Sequence, residues 1–151
     1  MNSETLNLDM NTENVSMELS FVSAQLKPKS ILVLGDMSSN DMISLLLNAD
    51  NSSLITVVGG GDYEEAKSAF EKYDIVPRLS FYSGEVEEIV PWIEEKFDLV
   101  VVAKNLDLEM IKSNISTDGH LCIEAGVGEF KTSSMTQVEI ENVKSYKVYK
   151  T

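Results

Sequence analysis

The residues able to do chemistry lie in short loops that follow apolar runs. The first such run is residues 31–34, ILVL, and it ends on Gly35, Asp36, Met37, Ser38, Ser39, Asn40 and Asp41 before a helical pattern begins. A strand, a turn and a helix in this order aim backbone N–H groups and a positive helix end at a ligand. Nucleotide-like ligands sit there in open α/β sheets, which makes Gly35, Asp36 and Ser38 candidate contacts. A second loop, Gly59–Gly60–Gly61–Asp62, follows LITVV. Gly59 and Gly60 could admit a ribose or phosphate to the backbone. A flexible turn is the plainer account, because no basic residue stands near and the G-x-G-x-x-G spacing is missing. Asp62 suits a helix cap better than a ligand contact. Gly84, Glu85 and Val86 open a third loop. Glu85 could accept a ligand's hydrogen bond, although the helix dipole alone favours a glutamate at a helix start. Ala103, Lys104 and Asn105 follow FDLVVV at a strand's carboxyl end, where a ligand or only solvent would meet them.

Other chemistries find little material. Cys122 is the one cysteine, so no internal disulfide forms, and its apolar surroundings suit a small buried hydrophobe. His120 is the one histidine and has no clustered partner with which to hold zinc. The net charge is −13 and Arg78 is the only arginine. Phosphate neutralisation needs Lys/Arg clusters, so direct DNA or RNA binding is not expected. No apolar run is long enough to span a membrane. The N-terminus has neither a basic start nor an apolar core, which argues against a secretory signal and for an intracellular protein.

The elements that must position these loops follow from periodicity. With 151 residues the chain suits one domain, residues 13–151, preceded by a polar arm over residues 1–12. Thr12 is expected to cap a helix with Val15, Leu19, Val22 and Leu26 on one face, stopped by Pro28. Residues 31–34, 54–58, 79–81, the apolar centre of 96–105, and 119–124 read as buried strands. Between them come helices through Met42, Leu45 and Leu46, through Tyr63, Ala66, Phe70 and Tyr73, over residues 84–95, and through Leu108 and Ile111. Pro91 should kink or split the third of these. In the tail, Val138 and Ile140 alternate with Glu139 and Glu141, and Tyr146 and Val148 with Lys147. An acidic strand is expected to face a basic one in an antiparallel pair. Strand–helix alternation implies right-handed crossovers and a three-layer α/β sandwich with a mainly parallel sheet and an antiparallel C-terminal edge.

This order of pieces resembles class I S-adenosylmethionine-dependent methyltransferases. It comprises a helix, the strand–Gly35 loop, a strand with an Ala66–Phe70 helix, RLSFYSGEVEEIVP, KFDLVVVA and DGHLCIEAG. It looks most like the small O-methyltransferase branch related to catechol and caffeoyl-CoA O-methyltransferases, over residues 15–126. The resemblance implies a Rossmann-like methyltransferase fold and S-adenosylmethionine as cofactor. It places cofactor contacts at Gly35, Asp36, Ser38, Gly59, Gly60, Glu85, Val86 and Ala103, and it singles out no catalytic residue. The family's motifs are degenerate here. Its first-strand acid falls on Val33, and its further loop glycines fall on Met37 and Ser39. Its ribose-binding acid falls among Val57, Val58 and Gly59. Its magnesium-binding aspartate falls on Ala103, so no metal is expected.

Two functions follow. One is a small methyltransferase-like enzyme with weakened or lost cofactor binding. The other is a non-catalytic structural or regulatory subunit that retains the fold. A nicotinamide-binding domain ranks lower for want of the glycine fingerprint. In the arm, Leu6, Leu8 and Met10 alternate with Asn7 and Asp9. Such a segment could add to a neighbour's sheet edge and hold a homo-oligomer or larger assembly, or it could pack on its own domain.

Overall fold

Residues 31–34 and 99–102 are apolar at every position, so neither face of either segment tolerates water. In the computed structural model, which describes residues 10–124 and 135–151, the two segments pair in parallel at the middle of the sheet with every side chain fully buried. The seven strands are β1 Ser30–Leu34, β2 Leu54–Val58, β3 Leu79–Tyr82, β4 Phe97–Val102, β5 Ile115–Glu124, β6 Thr136–Val138 and β7 Tyr146–Lys150. Their order is β3-β2-β1-β4-β5-β7-β6. The first five run parallel, and β7 runs antiparallel to both β5 and β6. The expected mainly parallel sheet with an antiparallel C-terminal edge is therefore present. The strand order reverses between β1 and β4, and the carboxyl ends of strands at such a switch point are where open α/β sheets bind their ligands.

The two faces of the sheet are covered unequally. Helices α1 Met10–Leu26, α2 Ser39–Leu47 and α3 Tyr63–Glu71 lie on one side. Leu19, Val22, Met42, Leu45, Leu46 and Phe70 pack there on Ile31, Val33, Ile55, Val57, Leu99 and Val101. The alternate residues Leu32, Leu34, Val58, Val100 and Val102 face the other side. Among the described residues, the elements on that side are the single-turn helix α4 Val86–Ile89 and the 3-10 turns Val90–Trp92, Leu108–Met110 and Lys112–Asn114, with Met135 and Tyr149 packed beside them.

Several local expectations change. The first helix begins at Met10, so Thr12 lies inside it rather than capping it. Residues 1–9 lie outside the described residues, and the arm's expected role lies there with them. The helix expected over residues 84–95 is split at Pro91 and ends at Trp92. The buried Asn114 amide then donates to the Ile93 and Glu95 carbonyls, both at 3.0 Å, which holds that stretch extended. Two 3-10 turns replace the helix through Leu108 and Ile111. Tyr73 falls beyond α3 and is exposed. In the C-terminal pair, β6 stops at Val138, so neither Glu139 nor Glu141 faces a lysine across the strands. Ile140 is drawn into the core instead and the chain turns there.

That turn is tied to α1 by one carboxylate. Glu18 accepts from the Lys144 and Ser145 backbone N–H groups, the latter at 2.6 Å, and from the Ser145 hydroxyl at 2.7 Å. Burial pushes the Glu18 pKa up, but the Ser145 and Lys144 donors outweigh it and hold the carboxyl below its ordinary value. A carboxylate with a lowered folded pKa stabilises fully above its unfolded value and loses that stabilisation as pH falls through the folded one. Glu18→Gln should lower stability to urea by about 2 kcal/mol at neutral pH. The difference from wild type should shrink once the pH drops below the ordinary value of 4.5. Equal stabilities at neutral pH would show that the tie contributes nothing.

Candidate functional site

The carboxyl edge at this switch point is built by strand register. Leu34 pairs with Val58 and Val102, Val58 with Tyr82, and Val102 with Ile123. The next residue along each central strand therefore falls in one row at the carboxyl edge: Gly59, Gly35, Ala103 and Glu124. Backbone bonds cross this row, from Gly35 N–H to the Val58 carbonyl at 2.9 Å and from Ala103 N–H to the Leu34 carbonyl at 2.8 Å.

Glycine is required at two of these positions. Gly35 has φ +111°, and a Cβ there would stand 3.0 Å from the Ala103 carbonyl carbon. Gly59 has φ +72°, and a Cβ there would stand 2.6 Å from Val86 Cγ2. Both positions combine a left-handed backbone with close approach of a neighbouring strand or loop.

Seven of the eight residues expected at the site lie on loops at this edge and Val86 opens α4, and contacts among them fall in three local groups. Gly35 meets Ala103, Gly59 meets Val86, and Gly60 lies against Val57 and Phe81. Asp36 reaches from the β1 loop to the β2 loop, where its Oδ1 would stand 3.2 Å from a Cβ on Gly61. Ser38 caps α2, its Oγ accepting from Asp41 N–H at 3.2 Å. Asp62 caps α3 as expected, accepting from Glu64 N–H at 2.8 Å. Glu85 precedes α4 with its side chain exposed and making no capping bond. A cleft of about 460 Å³ lies beside this turn, lined by Ser38, Ser39, Asn40, Glu65, Ser68 and Lys72 among others. It opens between α2 and α3 rather than over the glycines.

Three features of the edge escape sequence reasoning. Lys104 donates to both Glu87 carboxylate oxygens, at 3.1 and 3.2 Å. The strand order makes this a contact from the β4 end to the element after β3. The Glu87 backbone N–H and then Lys104 hold that carboxyl below its ordinary value. Glu124 ends β5 beside the row, and burial followed by the nearby Asp41 raises its pKa. The Asp36 carboxylate at the β2 loop is the third. None of these leaves a local sequence signal, because each joins residues from different crossovers.

The remaining reactive side chains are structural. Burial, then Glu18 and Glu124, push the Cys122 thiol far up, which keeps it protonated and inert. Burial and Lys150 lower the His120 pKa, so its ring is neutral at pH 7. Among the described residues, no three His, Cys, Asp or Glu side chains form a group able to hold a metal. Among the same residues, no helix is long and apolar enough to cross a membrane.

No protein-family model and no curated relative matches the chain. Solved structures do match in fold. A methyltransferase from Geobacter sulfurreducens is 13% identical with a TM-score of 0.70, over 89% of this chain and 76% of that one. An O-methyltransferase from Bacillus cereus in complex with SAH is 14% identical with a TM-score of 0.65, over 82% and 66%. An SAH-bound methyltransferase from Podospora anserina is 22% identical with a TM-score of 0.64, over 72% and 50%. At these identities the likeness establishes a Rossmann-like methyltransferase fold. The chain spans from half to about three quarters of the length of these proteins.

Because the edge is assembled around Gly35, Gly35→Ala should cost about 1–3 kcal/mol through left-handed strain and collision with the Ala103 backbone. Urea denaturation measures this. A variant as stable as the wild type would show that the loop relaxes freely and that the glycine is not required.

Proposed function

We propose that this domain binds S-adenosylmethionine weakly at the carboxyl edge over Gly59, Gly35 and Ala103, as a small methyltransferase-like protein. The carrying observation is the Asp36 carboxylate, whose Oδ1 occupies the space beside Gly61, 3.2 Å from where a Cβ on that residue would stand. It supplies, from the β1 loop, an acceptor at the end of β2 where Val57, Val58 and Gly59 supply none. Structural neighbours crystallised with SAH or SAM support the choice of ligand.

The residues present fit the nucleoside end of such a cofactor. Asp36 and Glu85 would accept from hydroxyl and amino groups, and the half-buried Phe81 beside Gly60 would offer an apolar contact. The amino-acid end is served poorly. Val33 is fully buried in the core and Met37 nearly so, leaving no carboxylate at the Val33 position to meet an ammonium. When bound, the cofactor's sulfonium supplies an activated methyl group for direct displacement, a reaction in which positioning provides much of the rate. Methylation of a hydroxyl releases a proton. On this reading Glu124, at the edge beside Ala103 and with its pKa raised by burial and Asp41, would accept it.

A second reading, a non-catalytic subunit that kept the fold, is favoured by Val33 and Met37. Both turn cofactor-loop positions into core. Calorimetry with SAH separates the two. Cofactor binding predicts a dissociation constant of about 0.1–1 mM, or roughly −4 to −5.5 kcal/mol. Asp36→Asn should weaken it about tenfold, the scale of one charge-assisted hydrogen bond. Absence of binding at millimolar SAH would reject the cofactor reading and leave the non-catalytic one.

A further inference from the structure

We propose that Trp92 and the glutamates around it form a docking surface for an arginine- or lysine-rich segment of another protein. Trp92 is the chain's single tryptophan and is 85% exposed, although indole is the largest apolar side chain available to a core. Its position is not a frayed loop. The 3-10 turn Val90–Trp92 has about three residues per turn, so the buried Val90 and the half-buried Ile93 share the inward side. Trp92 is thereby turned away from the core. The Asn114 amide fixes the carbonyls of Ile93 and Glu95 just beyond it. The indole stands on a fixed platform beside the exposed Pro91, as a preorganised contact should.

The charge around it selects the partner. Glu85, Glu87 and Glu88 precede the turn, Glu94 and Glu95 follow it, and all five are exposed. Glu87 is paired with Lys104, whereas no ion pair among the described residues engages Glu85, Glu88, Glu94 or Glu95. The adjacent Lys96 donates to the Ser113 carbonyl. A guanidinium or ammonium over the indole face would gain both the ring's attraction and that of the neighbouring carboxylates. A second copy of this chain brings a net charge of −13 and the same five glutamates, so like charges would meet. An anionic lipid surface or a nucleic acid is repelled for the same reason. A basic polypeptide is the occupant that complements the surface.

Trp92 reports on its own occupancy, since no other tryptophan contributes to the emission. The full chain is titrated with an alternating arginine–alanine peptide, with an alternating glutamate–alanine peptide as control. The expected result is a saturable change in indole emission with the basic peptide alone, weakening as salt is raised. By calorimetry, Trp92→Ala and the pair Glu88→Gln/Glu94→Gln should each weaken binding about tenfold. The pair Glu139→Gln/Glu141→Gln removes the same charge from an exposed turn elsewhere and should leave the affinity within about twofold. Equal weakening by the two glutamine pairs would reduce the effect to overall charge and overturn the proposal. So would an unchanged affinity in Trp92→Ala. An emission shift that grows with protein concentration in the absence of peptide would assign the surface to self-association instead.

Discussion

The whole carboxyl edge depends on one backbone junction at Gly35. Its N–H extends the β1–β2 ladder to Val58, while the next rung, from Ala103 N–H to Leu34, extends β1–β4. The left-handed backbone at Gly35 turns the chain out of the sheet, and the missing side chain lets the β4 end pass at contact distance. A strand that served only one neighbour could end in many ways. β1 lies between β2 and β4 at the point where the strand order reverses, so its exit must satisfy both neighbours at once. The loops carrying Asp36, Gly59, Glu85 and Lys104 are gathered on either side of that exit.

The second constraint is the unequal dressing of the sheet. Two long-faced layers would need a full helix after β3 and another after β4. Pro91 removes a backbone donor from the first and confines it to a single turn plus a 3-10 turn. After β4, successive 3-10 turns seat Leu108 and Ile111 without a continuous helix. Short elements bury the inner row of side chains, and among the described residues the indole of Trp92 on their outer side is left uncovered. Its exposure follows from the same proline that shortens the layer.

Three charged residues of this acidic chain act as struts. Glu18 joins α1 to the turn before β7. Arg78 donates to the carbonyls of Ser53 at 2.7 Å and Asp50 at 3.0 Å, and so secures the end of α2 to the start of β2. Asp98 accepts from Lys29 N–H at 3.0 Å and from the Ser116 hydroxyl at 3.2 Å, fastening the amino ends of three strands. These contacts use oriented backbone groups and serine hydroxyls rather than opposite charges, so they persist where surface ion pairs contribute little. They also account for the isolated arginine, whose partners are carbonyls and not a ligand.

What the sequence determined by itself is the sheet and its long helices. Unbroken runs such as ILVL and LVVV, short, rich in β-branched residues and bounded by turns, read as strands buried on both faces. Asp62 and the spacing of Ala66 and Phe70 announce α3, and the alternation around Val148 announces the antiparallel edge. Each of these signals is local, repeating every two or every 3.6 residues along one element. The glycine positions of the candidate site were legible for a similar reason, since a strand that ends in glycine before a helix has few other uses. What only the tertiary structure decided is which side chains from different crossovers meet. Asp36 over Gly61, Lys104 with Glu87, Glu124 near Asp41 and Glu18 with residues 144 and 145 carry no periodic signature. The same holds for β6, where burial of Ile140 overrode an alternating pattern. Pairings across the sheet depend on strand order and register, and those are set by the packing of the whole chain rather than by any segment of it.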